Sequence, residues 1–199
     1  MKHIFIITYL FLIGCASQTS LEVAPEDWVF EDRAIHLHIS SPADLNAISG
    51  RPHSLVLGVF QLSDPNTFVG LSETKVGALQ LLNAGRIDNT VTQFSRIILQ
   101  PGEEKVASLP RAQGSKYIGL ISGYYGLNTE LDIEIFSIPV KAAKRGFVDL
   151  TLSKLGLIAD EAKAVPDDIF IDVAMGRKST KQFNLLEKEE LNILSSSRF

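Results

Sequence analysis

Cysteine is nearly absent from this sequence: Cys15 is the one such residue in a chain of 199. A single thiol excludes intrachain disulfides, CxxC redox chemistry and Cys-based zinc sites together, so the fold must stand on its hydrophobic core. An excess of positive charge is also missing. Against 19 Lys and Arg stand 23 Asp and Glu, a balance without the basic surplus that nucleic-acid binding requires. Apolar runs of membrane-spanning length are lacking too. The segment from Ile4 to Ile13 is broken only by Thr8 and Tyr9, and about ten residues at about 1.5 Å each cover half of a hydrocarbon core about 30 Å thick. It is long enough to target the chain and too short to anchor it.

The catalytic motifs that can be sought from spacing are missing or broken. There is no Gly-x-Ser-x-Gly elbow, and no nucleophile has an assignable base and orienting group beside it. Ser72-Glu73-Thr74-Lys75 has the Ser-x-x-Lys spacing that a helical turn would bring together, but without companion motifs it reads as a helix start. Gly176-Arg177-Lys178-Ser179 departs from a phosphate-binding loop because Arg177 stands where Lys must follow Gly. His36 and His38 lie two apart on a candidate strand, with His53 as a conceivable third metal ligand. Alternation puts both on the solvent side with no carboxylate in their segment, so solvated imidazoles are expected rather than a metal site. The expectation is a protein without enzymatic activity, cofactor or metal.

What the sequence does contain begins at its first residues. Met1-Lys2-His3 is a short basic start, the apolar segment follows, and Leu12-Ile13-Gly14-Cys15 fits a lipobox. Residues 1–14 are expected to be a cleaved signal peptide. Cys15 becomes the lipid-bearing N-terminus, and two or more acyl chains at about 0.8 kcal/mol per buried CH₂ make stable anchoring. Ala16 follows, not the Asp that holds lipoproteins at the inner membrane in enteric bacteria, so an outer-membrane, periplasm-facing location is expected. Cleavage removes one base, Lys2, leaving 18 basic side chains against 23 acidic ones.

Residues 15–30 lack apolar periodicity and read as a lipidated tether, followed by one domain over 31–173. Ala34 to Ile39 alternates as a half-buried strand, and Leu55 to Leu62 is apolar almost throughout, as a strand inside a sheet is. Between them, Ser41 to Pro52 is rich in turn residues. Ser72 can cap a helix running to Ala84 with Leu71, Leu79 and Leu82 near one face, and Gly85 stops it. Further strands are expected over Val91 to Leu99, Val106 to Leu109, Lys116 to Tyr125, Leu131 to Ile138 and Phe147 to Leu152. Tyr117 and Tyr125 then share a face, and Lys141, Lys144 and Arg145 form a solvated turn. Short strands with regular turn signals imply an all-β fold, two packed antiparallel sheets with one small helix. After Val173 the chain turns polar, so 174–199 reads as a C-terminal extension ending in an amphipathic helix over Phe183 to Leu194.

Several pieces then fall into a familiar order behind the lipobox: Asp44-Leu45-Asn46, Gly50-Arg51-Pro52, a strand ending in Val59-Phe60-Gln61-Leu62, Phe68, Leu99-Gln100-Pro101-Gly102, Leu109 and Tyr117-Ile118-Gly119-Leu120-Ile121. From Ile35 to Gly126 the chain resembles the TssJ family, the outer-membrane lipoproteins of type VI secretion systems. The resemblance implies a transthyretin-like β-sandwich with an added helix, tethered to the outer membrane through lipid on Cys15. It implies a scaffold that is oligomeric within the secretion complex and binds the periplasmic C-terminal domain of the inner-membrane subunit TssM. The loop after the first strand is the family's contact region, here Pro42 to His53, with Asp44, Leu45, Asn46 and Arg51 as candidates. Leu45 and Ile48 would be exposed near its tip, while Asp44 and Asn46 suit a contact and a turn cap equally. One departure is Tyr124-Tyr125-Gly126-Leu127, where the family carries an aromatic, Arg and Asp. The competing function is an outer-membrane lipoprotein that binds a small ligand or acts on the cell wall, which a lined cavity between the sheets would favour.

Overall fold

A computed structural model of the chain describes residues 22–143 and 163–187. The signal peptide, Cys15, the strand expected over Phe147 to Leu152, and Lys144 and Arg145 lie outside them. The elements in order are β1 (Glu31–Ser40), β2 (Leu55–Leu62), α1 (Asn66–Ser72), α2 (Lys75–Ala84), β3 (Val91–Leu99), β4 (Glu104–Arg111), β5 (Tyr117–Ser122), β6 (Ile133–Ser137), β7 (Val140–Ala142), β8 (Ala164–Pro166), β9 (Ile169–Met175) and β10 (Thr180–Leu186).

Alternation in β1 turns Ile35, Leu37 and Ile39 inward, where all three are fully buried. They face Leu57 and Val59 of β2, Leu99 of β3 and Ile118 and Leu120 of β5, with Ile169, Ile171 and Val173 of β9 in the same apolar cluster. That cluster is the filling of a two-sheet sandwich. One sheet has the strand order β10-β9-β1-β4 and the other β3-β2-β5-β6, so β2 is interior as its apolar run requires; β7 and β8 form a separate ribbon. β1 pairs with β9 in parallel and with β4 antiparallel. The first sheet is therefore mixed, not antiparallel throughout as expected. A parallel neighbour arrives because β9 returns to β1 by a long crossover.

β2 is nearly continuously apolar because the outer face of its sheet is covered as well. Phe60, Leu62 and Ile121 pack there against Phe68 of α1 and Ala78, Leu81 and Leu82 of α2. Helix formation starts at two points rather than one. Thr74, not Ser72, caps α2 by accepting from the Gly77 amide at 3.1 Å. Gly77 allows the two helices to meet, since a Cβ there would sit 2.0 Å from the Leu71 carbonyl oxygen. The inward face of α2 consequently contains Leu81 and Leu82 but leaves Leu79 largely exposed.

At its far end the chain departs further from expectation. Residues 183–186, expected in a helix, are strand residues of β10, which pairs antiparallel with β9. The sheet thus continues beyond the boundary drawn at 173, and the polar run Gly176 to Ser179 is a hairpin turn. The tether is also docked before residue 30: Val23 and Trp28 are buried in the core, the Trp28 carbonyl accepts from Gly114 N at 2.7 Å, and Lys163 pairs with Asp27 at 2.7 Å.

The sandwich has two poles. β1 starts beside the docked segment at the lower pole and, at about 3.3 Å per residue, delivers the chain about 33 Å away at the upper one. Gln61 locks the lower pole, donating to the Pro110 carbonyl at 2.8 Å and accepting from Ala112 N at 2.7 Å and from Ser115 Oγ at 3.0 Å. Strand directions gather four connections at the upper pole: the β1–β2 loop, the β3–β4 turn, the β5–β6 loop and the β9–β10 hairpin.

Candidate partner-binding site

The β1–β2 loop does not present its residues as expected. Leu45 is fully buried in the inter-sheet core rather than exposed at a tip, because a polar turn at the end of a sandwich still needs an apolar side chain to close the core beneath it. It offers a partner nothing. Asn46 is also buried, at 9% exposure, and both ends of its amide are used: Nδ2 donates to the Ser54 carbonyl at 3.2 Å and Oδ1 accepts from Tyr125 N at 3.0 Å. Its φ of +46° lies in the left-handed region that Asn tolerates better than most residues. Asn46 therefore holds the site's geometry. Asp44 and Arg51 remain exposed, Asp44 in a 3.6 Å ion pair with Arg177 of the hairpin and Arg51 bonded through its backbone to Ile48. Ile48 is half-buried.

Three of these connections, the β1–β2 loop, the β5–β6 loop and the β9–β10 hairpin, are tied in a triangle, and the β3–β4 turn joins the first through Gly102 N to the Pro42 carbonyl at 2.9 Å. Asn46 joins the first to the second, and Ala47 N donates to the Arg177 carbonyl at 2.9 Å, joining the first to the hairpin. The second meets the hairpin twice. Tyr124, expected on a strand, lies past the end of β5, where its hydroxyl donates to the Gly176 carbonyl at 2.9 Å and accepts from the Gly176 amide at 3.0 Å. Burial raises its phenol to about 12. Asp132 accepts from Thr180 N at 2.7 Å and Asn128 N at 2.8 Å, and burial raises its carboxyl while those two amide donors oppose the rise. Loops fixed at several points lose little entropy when a partner docks.

Between the loops lies an open groove of about 330 Å³ lined by Asn46, Ala47, Ile48, Ser49, Tyr125, Gly126 and Lys178. Tyr125, also off the strand, is 74% exposed although its backbone is held at both ends, the amide by Asn46 and the carbonyl by Lys75 Nζ at 3.3 Å. Sequence reasoning placed Tyr125 on a sheet face and Lys178 in an appended tail, so neither entered the candidate set. The departure at Tyr124-Tyr125 was the available signal.

The remaining candidate groups are dispersed. Ser72 Oγ donates to the Val69 carbonyl and Lys75 reaches Tyr125, so the Ser-x-x-Lys pair is not assembled. His38 is buried at 6% exposure, not solvated. Its Nδ1 lies 2.6 Å from Asp172 Oδ1 and its Nε2 2.7 Å from Glu104 Oε1, carboxylates that the neighbouring strands supply. His36 stacks on Phe170 at 4.6 Å, and His53 sits exposed on the β1–β2 loop. Among the described residues no cluster of His, Cys, Asp and Glu has the arrangement of a metal site.

Residues 33–154 match the family of type VI secretion lipoproteins that includes VasD, EvfM and TssJ. The chain belongs to that family. Its fold is similar to that of the type VI lipoprotein TssJ1 from Pseudomonas aeruginosa, with 13% identity, a TM-score of 0.52, and 79% of this chain covering 98% of that one. A chain of a type VI membrane complex gives 18% identity and a TM-score of 0.50 over 79% of this chain and 100% of that one. Lip from Serratia marcescens, a membrane-bound component of the type VI secretion system, gives 16% identity and a TM-score of 0.48 over 77% of this chain and 96% of that one. No curated protein matches. The all-β sandwich is thus the fold of the TssJ lipoproteins, and the matched region carries the β1–β2 loop and Tyr125, while β9 and β10 lie beyond it.

Proposed function

We propose that this chain is a structural subunit of the type VI secretion membrane complex. It is held at the periplasmic face of the outer membrane by lipid on Cys15 and binds the periplasmic C-terminal domain of TssM through its upper pole. The observation that carries this reading is the opposition of the two poles. Val23 is already docked, and the chain from Cys15 to Val23 reaches at most about 28 Å when fully extended, so the lower pole stays close to the bilayer. β1 then projects the β1–β2 loop away from the membrane, where an inner-membrane partner can reach it. Asp44 and Arg51 are its exposed polar contacts, and several copies assemble within the complex. Among the described residues one cluster of buried apolar side chains occupies the space between the sheets, which favours this scaffold role over that of a ligand carrier.

The test is calorimetry between the mature chain in detergent micelles and the periplasmic domain of a TssM from the same organism, with an Asp44→Ala, Arg51→Ala variant for comparison. Micromolar or tighter binding, weakened by the double change, is expected. Absence of binding by the parent chain would overturn the reading.

A further inference from the structure

Two grooves flank the β5–β6 loop, and their charges are opposite. The one beside the β1–β2 loop carries Lys178, and the exposed cations Arg51, Lys75 and Arg177 belong to the same pole. Asp44 and Glu103 are anions of this pole outside the other groove, the first engaged by Arg177 and the second by Lys105 at 2.8 Å. The other groove, toward α1, is lined by Glu73, Glu130 and Glu134 together with Phe68 and Ile133. On a chain of net charge −4, this segregation makes the first groove a local basic site on an acidic protein.

Tyr125 stands at its edge. A rigid, amphipathic ring that is 74% exposed while its backbone is pinned on both sides is the kind of side chain that dominates protein interfaces, because little freedom remains to be lost on contact. Ile48 and Ala47 supply an apolar floor next to it, and Lys178 supplies a charge.

We propose that this groove is the seat of a partner segment that inserts an apolar side chain between Tyr125 and Ile48 and places an adjacent carboxylate against Lys178. The inference rests on the scaffold reading above and names the chemistry of the partner surface. Tyr125 is the anchor and Lys178 the charge that sets its register. The acidic groove across the loop takes no part and repels the same carboxylate.

The experiment measures affinity of the full mature chain in micelles for the periplasmic TssM domain, comparing Tyr125→Ala, Tyr125→Phe, Lys178→Glu and the control Glu130→Lys. The Tyr125 ring is exposed, so its truncation leaves the fold intact, which thermal melting verifies. Tyr125→Ala is expected to weaken binding by about thirty-fold, as loss of a hot-spot aromatic does. Tyr125→Phe should stay within a few-fold of the parent. Lys178→Glu should weaken binding and flatten its dependence on salt, whereas Glu130→Lys should not weaken it. A parent chain that binds while Tyr125→Ala and Lys178→Glu bind equally well overturns this inference and leaves the scaffold reading standing. A parent chain that does not bind removes both.

Discussion

Asn46 offers the sharpest test of how the upper pole is built, because three substitutions there separate its two duties. Asn46→Ala removes the hydrogen bonds to Tyr125 N and the Ser54 carbonyl and leaves a Cβ-bearing residue at φ +46°. Each bond contributes about 1 kcal/mol net, and a left-handed conformation costs an ordinary L-residue about 1 kcal/mol more. A loss of about 3 kcal/mol follows. Asn46→Gly forfeits the same bonds without the backbone cost, so it should lose about 2 kcal/mol. Glycine is thus expected to be less harmful than alanine, the reverse of their order at positions of ordinary φ. Asn46→Asp keeps an acceptor for Tyr125 N but turns a second oxygen toward the Ser54 carbonyl, placing it below the parent. Urea denaturation of the mature chain measures all three, and exchange protection of the Tyr125 amide reports the bond itself. Ala and Gly variants that are equally stable, or both within about 0.5 kcal/mol of the parent, would refute the reasoning.

Two further outcomes are expected. The Tyr124 phenol ionises near 10.0 when unfolded and at about 12 in the fold, so its contribution is complete below pH 10 and falls as pH climbs toward 12. The full loss amounts to about 3 kcal/mol at about 1.4 kcal/mol per pH unit, and alkaline denaturation of Tyr124→Phe should lack this component while showing about 1–3 kcal/mol lower stability at pH 7, because Gly176 is left unpaired. Gly119→Ala would set a Cβ 2.6 Å from Phe68 Cζ, so a destabilisation of about 1–3 kcal/mol is expected in a melting experiment, relieved by Phe68→Leu in the same chain.

The strands whose signals are local were legible. β3 spans Val91–Leu99 as its residues imply, and β2 is interior because both of its faces are covered, one by β1 and β9 and the other by α1 and α2. β9 and β10 were missed. A hairpin built from Gly176-Arg177-Lys178-Ser179 has the same composition as the start of a solvated tail, and only pairing with residues far away distinguishes them. His38 failed for a related reason: alternation reads its own strand, whereas its burial depends on Asp172 and Glu104 from the strands on either side. In the β1–β2 loop, turn chemistry was legible and the burial of individual residues was not. Turn chemistry identifies Asp44, Asn46 and Arg51 as loop residues, but which of them face solvent is decided by the core beneath Leu45 and by the partners of Asn46. Tyr125 escaped because the Tyr-rich segment reads as a continuous strand, while Ser122 ends β5.

Amide hydrogen exchange of residues 15–199, recorded with and without the periplasmic TssM domain, tests most directly whether this chain binds through its upper pole. The account predicts new protection in residues 42–54, 123–132 and 176–179, with residues 22–30 and 112–116 unchanged. Protection confined to those lower-pole residues, with residues 42–54, 123–132 and 176–179 exchanging as before, would contradict it.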